Sequence, residues 1–286
     1  MVGPHVLPDL LHDLVVRVRA RDVTTLAGDL LCHVTSLLRT AGWDYVGVGL
    51  ARTKVQLCGK LALELDGERA EARLPGRQGR LLFAFLVANR NRTLTRDELL
   101  EALWPDGRDS GLAPLLSKLR RIVPLDGLRI TLPHDAWVDI EAAADAVHRA
   151  ESALAQQAFH RAWGPAQVAM FVAGRPFLAG EEAPWIDEIR RPLAELHLRA
   201  LEAYAHAGLG IGGTELAAAV RAGRRLTRIE PYRESGYRLL MRALDARGNA
   251  ADALAVYDQL RRLLKDELGA APCAATQALH KGLLAV

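Results

Sequence analysis

Apolar positions along the chain change their period twice. From Met1 to about Thr53 they recur at helical spacing, as Leu10, Leu11, Leu14, Val15 and Val18, and again as Leu26, Leu30, Leu31, Val34, Leu37 and Leu38. Asp22 or Thr24 is placed to cap the second of these helices, and Gly42 to end it. From Lys54 the spacing drops to two: Val55, Leu57, Leu61, Leu63 and Leu65, broken at Gly59 and punctuated by the turn pair Asp66-Gly67, predict a short β-hairpin or small sheet. Helical spacing then returns over Gln78 to Ala88, with Leu81, Leu82, Phe85 and Leu86. Thr95 with Glu98 spells a capping box that opens a second helix carrying Leu99, Leu100, Leu103 and Trp104, and Pro105 stops it. After a loop rich in Asp and Gly, a third helix is expected from Leu112 to Val123, with Pro114 tolerated in its first turn. The stretch Gly127 to Val138 alternates through Leu128, Ile130 and Leu132 and predicts a short strand pair.

Strands, three helices and a terminal strand pair, in that order, make a winged helix–turn–helix over 54–139. From Ile140 to Val286 the pattern is nearly all helical. Trp185, Ile189, Leu193, Leu196, Ala200 and Tyr204 mark one long face, and further helices are expected over Thr214–Ile229, Tyr232–Arg247, Ala250–Leu268 and Ala274–Leu284. Small residues recur 36 apart (Gly212 and Gly248, Ala217 and Ala253, Ala219 and Ala255, Val220 and Val256), close to the period of tetratricopeptide repeats. The expected fold class is therefore mostly α with a small β component. A winged helix–turn–helix domain is followed by a tetratricopeptide-like helical-hairpin domain over 140–286, whose grooves suit a protein segment or a ligand. Residues 1–53 form a separate helical extension, read as a brace or a dimer contact.

Composition narrows the function classes. Of 286 residues half are apolar and a quarter charged, as in a globular chain with a sizeable core. No run of about 18 apolar residues occurs, so no membrane partner is expected. The start, with Pro4, Pro8, Asp9 and Asp13, lacks the apolar core of a secretory signal. Cys32, Cys58 and Cys273 are far apart and read as ordinary thiols in the cytoplasm, with no disulfide framework or structural zinc site. The net charge is +3, and its excess sits mid-chain: 72–139 holds eleven basic against eight acidic residues.

Enzymatic constellations are missing from the sequence. There is no H-E-x-x-H, no G-x-S-x-G and no P-loop spelling, and the histidines are scattered. Neither an enzymatic activity nor a cofactor is expected. Gly208-Leu209-Gly210-Ile211-Gly212-Gly213 matches G-x-G-x-x-G, but a helix rather than a strand precedes it, so it reads as a flexible connection between helices. His197 and His206 read as partly exposed helical residues, Trp185 and Tyr204 as core.

The third helix carries the sharpest signal. Leu112, Leu115, Leu116, Leu119, Ile122 and Val123 would face the core, leaving Ser117, Lys118, Arg120 and Arg121 outward. Such a face suits the major groove, with Lys and Arg on phosphates or guanine edges, and Arg129 on the following strand is placed beside it. Ser117, Lys118, Arg120, Arg121 and Arg129 are the candidate DNA-binding residues. Arg77, Arg80, Arg90, Arg92 and Arg96 surround the first two helices, as flanking phosphate contacts or plain surface charges.

Several runs resemble one family. Asp97-Glu98-Leu99-Leu100-Glu101-Ala102-Leu103-Trp104-Pro105 and Ser117-Lys118-Leu119-Arg120-Arg121 resemble the second and third helices of the winged domain in actinobacterial SARP-type transcriptional regulators. Trp185-Ile186-Asp187, Pro231-Tyr232-Arg233-Glu234, Leu240-Met241, Gly248 to Leu254 and Arg261 to Pro272 resemble landmarks of their bacterial transcriptional activator domain. The resemblance covers about Lys54 to Leu284. It implies double-stranded promoter DNA as a partner, RNA polymerase or a second copy of the chain on the helical domain, and recruitment as the mechanism. A homo-oligomer on DNA and a small-molecule effector are compatible with it. The sequence departs from the family at Ala113 and Pro114, where basic and β-branched residues are usual, and at Leu132-Pro133-His134-Asp135, in the place of a glycine-rich wing tip. These departures motivate a second reading, in which the chain is a protein-interaction or ligand-sensing scaffold whose winged domain no longer binds DNA.

Overall fold

A computed structural model describes residues 51–105 and 111–285. The helices expected before residue 51, and most of the Asp/Gly-rich loop after Pro105, lie outside the described residues.

The alternating stretch forms β1 (Lys54–Gln56), β2 (Ala62–Leu65) and β3 (Glu68–Arg69), consecutive antiparallel neighbours. Asp66 and Gly67, both at positive φ (52° and 87°), make the tight turn between β2 and β3, as the Asp-Gly signal predicts. Three helices follow: α1 (Gly76–Ala88), α2 (Arg96–Leu103) and α3 (Leu112–Leu119). The capping box is present, since Thr95 Oγ1 accepts from Glu98 N at 3.2 Å and Glu98 Oε2 accepts from Thr95 N at 2.7 Å.

Two local expectations change. The α-helix of α3 ends at Leu119, and the chain reaches Val123 through a tighter turn in which Leu119 O takes both Ile122 N and Val123 N. Pro124 follows and supplies no N–H to continue it. The predicted strand pair is also redistributed. The hairpin is β4 (Leu125–Asp126) with β5 (Arg129–Ile130), turning at Gly127-Leu128, and Gly127 sits at φ 59° in the first central position. The later strand β6 (Trp137–Val138) instead runs parallel to β1, so the sheet order is β3-β2-β1-β6. The wing tip is thus Gly127-Leu128, and Leu132-Pro133-His134-Asp135 belongs to the return to the sheet.

Seven helices complete the chain: α4 (Asp139–Ala155), α5 (Phe159–Ala173), α6 (Pro184–Ile211), α7 (Leu216–Ile229), α8 (Glu234–Asp245), α9 (Ala250–Leu268) and α10 (Ala274–Leu284). The winged helix–turn–helix followed by a tetratricopeptide-like array, expected from the sequence, is the fold observed. Its repeat is tighter than the 36 read from small residues. Ala219, Gly223 and Leu226 on α7 and Ala253, Tyr257 and Leu260 on α9 are buried in matching order, which sets a period of 34, whereas Ala255 is exposed where Ala219 is buried. The extra two residues lie in the short turn after Gly212.

The glycine run also differs from the expected connection. α6 continues through Gly208 and Gly210, and only Gly212 and Gly213 turn the chain. A Cβ on Gly208 would stand 2.8 Å from the Trp163 ring, and one on Gly210 would stand 2.3 Å from Phe159. The bare helix face is what lets two aromatic rings of α5 lie on it. Trp163 in turn stacks on the core residue Tyr204, centroids 4.1 Å apart. His197, expected to be partly exposed, is buried, and burial lowers its pKa to about 4, so it is neutral at pH 7.

The two halves share one core. Phe177, Leu178, Trp185 and Ile186 pack with Val55, Leu82, Phe85, Leu99 and Leu119 of the winged half, and Phe85 meets Trp185 edge-on at 5.1 Å. Backbone bonds cross the same junction, from Leu178 N to Leu57 O at 2.8 Å and from Gly59 N to Pro176 O at 2.8 Å. Asp139, fully buried, begins α4 while its carboxylate accepts from Leu57 N (2.9 Å), Cys58 N (2.8 Å) and Ile140 N (2.9 Å). Asp139→Ala leaves the N–H groups of Leu57 and Cys58 without their acceptor. The expected cost is about 3 kcal/mol, read by urea denaturation at pH 7. Burial pushes the Asp139 pKa up from 3.8 to about 6 against the pull of those donors and of Arg175. The native state therefore holds this proton better than the unfolded chain, and the stability it adds is complete below 3.8 and lost as pH rises through 6. That decline should disappear from the stability–pH profile of Asp139→Asn.

Candidate nucleic-acid interface

The buried side of α3 is Leu112, Leu116 and Leu119, with Leu115 half-buried. That spacing fixes the opposite face, where Ala113, Pro114, Ser117 and Lys118 are exposed, and Arg121 follows in the turn beyond the helix. All five candidate residues are exposed, yet they are not equivalent. Ser117, Lys118 and Arg121 form one outward surface. Arg120 bends to the wing, where its Nη2 donates to Gly127 O at 3.1 Å. Arg129 reaches across β5, and its Nε donates to Arg90 O at 3.1 Å. Arg120 and Arg129 therefore tie α3, the wing and the end of α1 together while keeping other N–H groups for a ligand.

The cleft beside the wing, about 250 Å³, is lined by Arg90, Asn91, Asp126, Arg129, Ile130, Thr131 and Leu132. Asn91 and Thr131 are exposed there and offer neutral hydrogen-bonding groups, which a pattern of charges does not mark. Their signal lay in the chain order, which puts the end of α1 next to the wing.

The arginines around the first two helices divide by partner. Arg77 Nε meets Glu181 at 2.7 Å, and Arg92 Nη1 meets Glu98 at 2.5 Å. The Thr95 backbone N–H and the Arg92 guanidinium hold the Glu98 carboxyl down to about 2, so this pair stays ionised at ordinary pH. Arg90 makes a fork-to-fork pair with Glu141 of α4, at 2.6 and 2.5 Å. Arg90 thus braces the winged half against the helical half. Arg80 stands exposed on α1.

In the helical half a groove of about 330 Å³ opens between α4, α6 and α8, lined by Glu151, Leu154, Arg199, Glu202, His206, Arg238, Leu239 and Arg242. Its charges are largely satisfied internally: Arg199 forks onto Glu151, and Glu202 takes Arg233 and Ser235. Among the described residues no group of three or more His, Cys, Asp or Glu side chains is placed to hold a metal ion, and no helix is long and apolar enough to cross a membrane.

The family model for the bacterial transcriptional activator domain matches residues 138–284. The chain belongs to this family. The match takes in the Trp185, Pro231, Gly248 and Arg261 landmarks, and the resemblance to SARP-type regulators holds. The regulatory protein AfsR of Streptomyces coelicolor is 32% identical over 230 residues, which cover 77% of this chain and 23% of that protein. AfsR of Streptomyces griseus is 34% identical over 206 residues, covering 68% of this chain and 21% of the relative. The transcriptional regulatory protein EmbR of Mycobacterium tuberculosis is 26% identical over 246 residues, or 80% of this chain and 62% of EmbR. The chain thus spans about a quarter or less of the AfsR proteins. A solved structure of Mycobacterium tuberculosis EmbR in complex with a low-affinity phosphopeptide superposes with a TM-score of 0.71 at 24% identity, covering 82% of this chain and 65% of that one. At 82% of the chain, this likeness in fold reaches beyond the activator-domain match.

Because its guanidinium is already occupied, Arg90 is expected to act on stability and not on DNA. Arg90→Ala should cost about 1 kcal/mol in urea denaturation, and should leave the affinity for a DNA duplex, measured by fluorescence anisotropy, within about twofold.

Proposed function

We propose that this chain is a DNA-binding transcriptional regulator, with 54–139 as the DNA-binding domain, 140–286 as the activator domain and 1–53 as an amino-terminal extension. The observation that carries the reading is the outward face of Ser117, Lys118 and Arg121 on a helix braced from behind by the shared core and from the side by the wing. A helix held this way can enter the major groove without reordering. Lys118 and Arg121 supply phosphate or guanine contacts, and Arg120 and Arg129 position the wing beside them and meet the flanking backbone. The small exposed head of the helix, Ala113 and Pro114, offers apolar contact to a thymine methyl and no hydrogen-bond donor, so affinity rests chiefly on phosphates.

The activator domain then serves as the surface that meets RNA polymerase, and two copies on adjacent sites gain affinity because the second contact becomes intramolecular. The groove between α4, α6 and α8 is the place for a small effector. A relative being a named regulatory protein, and the family match over half of this chain, support recruitment rather than chemistry as the mode of action.

A second reading draws on the donor-poor head of α3 and the single wing glycine: the winged half as a docking element in a protein-interaction or ligand-sensing scaffold. Mobility shift at low and moderate salt separates the two. The regulator reading expects salt-sensitive binding with sequence preference. Lys118→Ala with Arg121→Ala should weaken it about tenfold or more and reduce the slope of log K against log salt by about 1–2, near 0.9 per phosphate contact. An unchanged affinity and slope would remove these residues from the interface, and no binding at low salt would favour the scaffold.

A further inference from the structure

The strongest unassigned charge feature lies on α7, outside the winged half. Arg221, Arg224, Arg225 and Arg228 are all exposed and follow each other at the i, i+3, i+4, i+7 spacing that places them on one face. The opposite face of the same helix is Ala218, Ala219, Ala222, Gly223 and Leu226, all buried. No residue between 216 and 229 is acidic. None of the four guanidinium groups pairs with a carboxylate among the described residues, whereas Arg90, Arg190, Arg199 and Arg233 all do. On the neighbouring repeat, α9 mixes its arginines with acids, and Arg261 pairs with Asp258 at 3.2 Å. Like charges at i, i+4 (Arg221 with Arg225, Arg224 with Arg228) weaken a helix, so the stripe is a standing cost within the fold that an external anion would relieve.

We infer that this arginine stripe is a second DNA contact, which grips the sugar–phosphate backbone outside the footprint of the winged half. The inference rests on the DNA-binding reading above. Duplex DNA fits better than an acidic protein segment for two reasons. It is the polyanion that reading already brings to the molecule, and the activator domain is held to the winged half by a shared core and by the bonds of Asp139, so it stays at a fixed place beside any duplex gripped there. Trp185 lies in the winged core, and Leu198, thirteen residues along α6, packs in one cluster with Leu226 between Arg225 and Arg228. At 1.5 Å per residue that is about 20 Å, or about six base pairs at 3.4 Å each. The stripe carries no aromatic or amide side chain to read base edges, so the contact is independent of sequence and strongly dependent on salt.

Fluorescence anisotropy with two probes tests this: a duplex of about 14 base pairs selected by the full chain from a random pool, and the same core extended by ten arbitrary base pairs on each side. The unsubstituted chain should bind the extended duplex about tenfold tighter, with a salt slope steeper by about 2, as for two or three added phosphates. The variant Arg224→Ala, Arg225→Ala, Arg228→Ala should keep its affinity for the core within twofold and lose the gain from extension, and the matching lysine variant should recover most of it. An equal melting temperature for variant and parent would show that the fold is intact; an altered one moves the comparison to the lysine variant and Arg225→Glu alone. The inference is overturned if extension brings no gain, if the gain survives in the alanine variant, or if a labelled poly-glutamate peptide binds through the stripe while the gain is unaffected by the substitutions. Core binding that persists alongside any of these results leaves the winged reading standing, and absence of core binding by the parent chain overturns both.

Discussion

The carboxylate of Asp139 is the joint of the molecule. It opens α4 and, from the same buried position, takes the backbone N–H groups of Leu57 and Cys58 as the chain leaves β1. Val138, its immediate neighbour, lies in the parallel strand on β1, and Cys58 faces Phe177 across an isolated bridge. One residue therefore fixes where the sheet ends, where the first activator-domain helix begins, and the angle between them. A buried ion is costly in apolar surroundings, and three N–H donors with Arg175 nearby make it tolerable. What the arrangement provides is geometric: removal of the carboxylate strands two buried donors, so alternative packings of the two halves are strongly disfavoured.

That joint changes how the two halves should be thought of. A winged unit of some eighty residues has a small core for its size. Here the core is completed by Phe177, Leu178, Trp185 and Ile186, with Arg190 clamping the preceding loop through the carbonyls of Phe177 and Glu181. The α3 face inherits its rigidity from the activator domain. A duplex bound to α3 would thus feel the position of the whole array, and a partner on the array would feel the orientation of α3, without any moving linker between them.

Much of this was legible in the order of the elements. Alternation at Val55, Leu57 and Leu63 gave a strand because every second side chain is buried, and the Thr95 and Glu98 capping box announced α2 because both partners lie within one turn. The shared core was not legible, because periodicity reports which face of an element is buried and not against what. Trp185 reads as core from its apolar spacing, and only tertiary contact reveals that the core belongs to the winged half. The place of the wing is hidden in the sequence for a related reason. Leu128, Ile130 and Leu132 do alternate, but the pairing partner of a two-residue strand is chosen by the turn at Gly127 and by the free edge of β1, neither of which alternation encodes. The 34-residue period was masked by Gly212 and Gly248, which align as turns but are separated by two residues more than the helices they precede.

For the candidate site the lesson is about partners. Composition counts every arginine equally, whereas the structure sorts them by whether a carboxylate or carbonyl already holds them. Arg90, Arg92 and Arg77 spend their charge inside the protein, and Arg120 and Arg129 share theirs with backbone carbonyls. Lys118 and Arg121, and the stripe on α7, keep theirs toward solvent. On the reading proposed above, the charge left unpaired on these two connected surfaces is available to an external anion, whereas α9 interleaves its arginines with acids. The division between held and unheld arginines, more than the small net charge of the chain, is what supports a polyanion as the proposed partner.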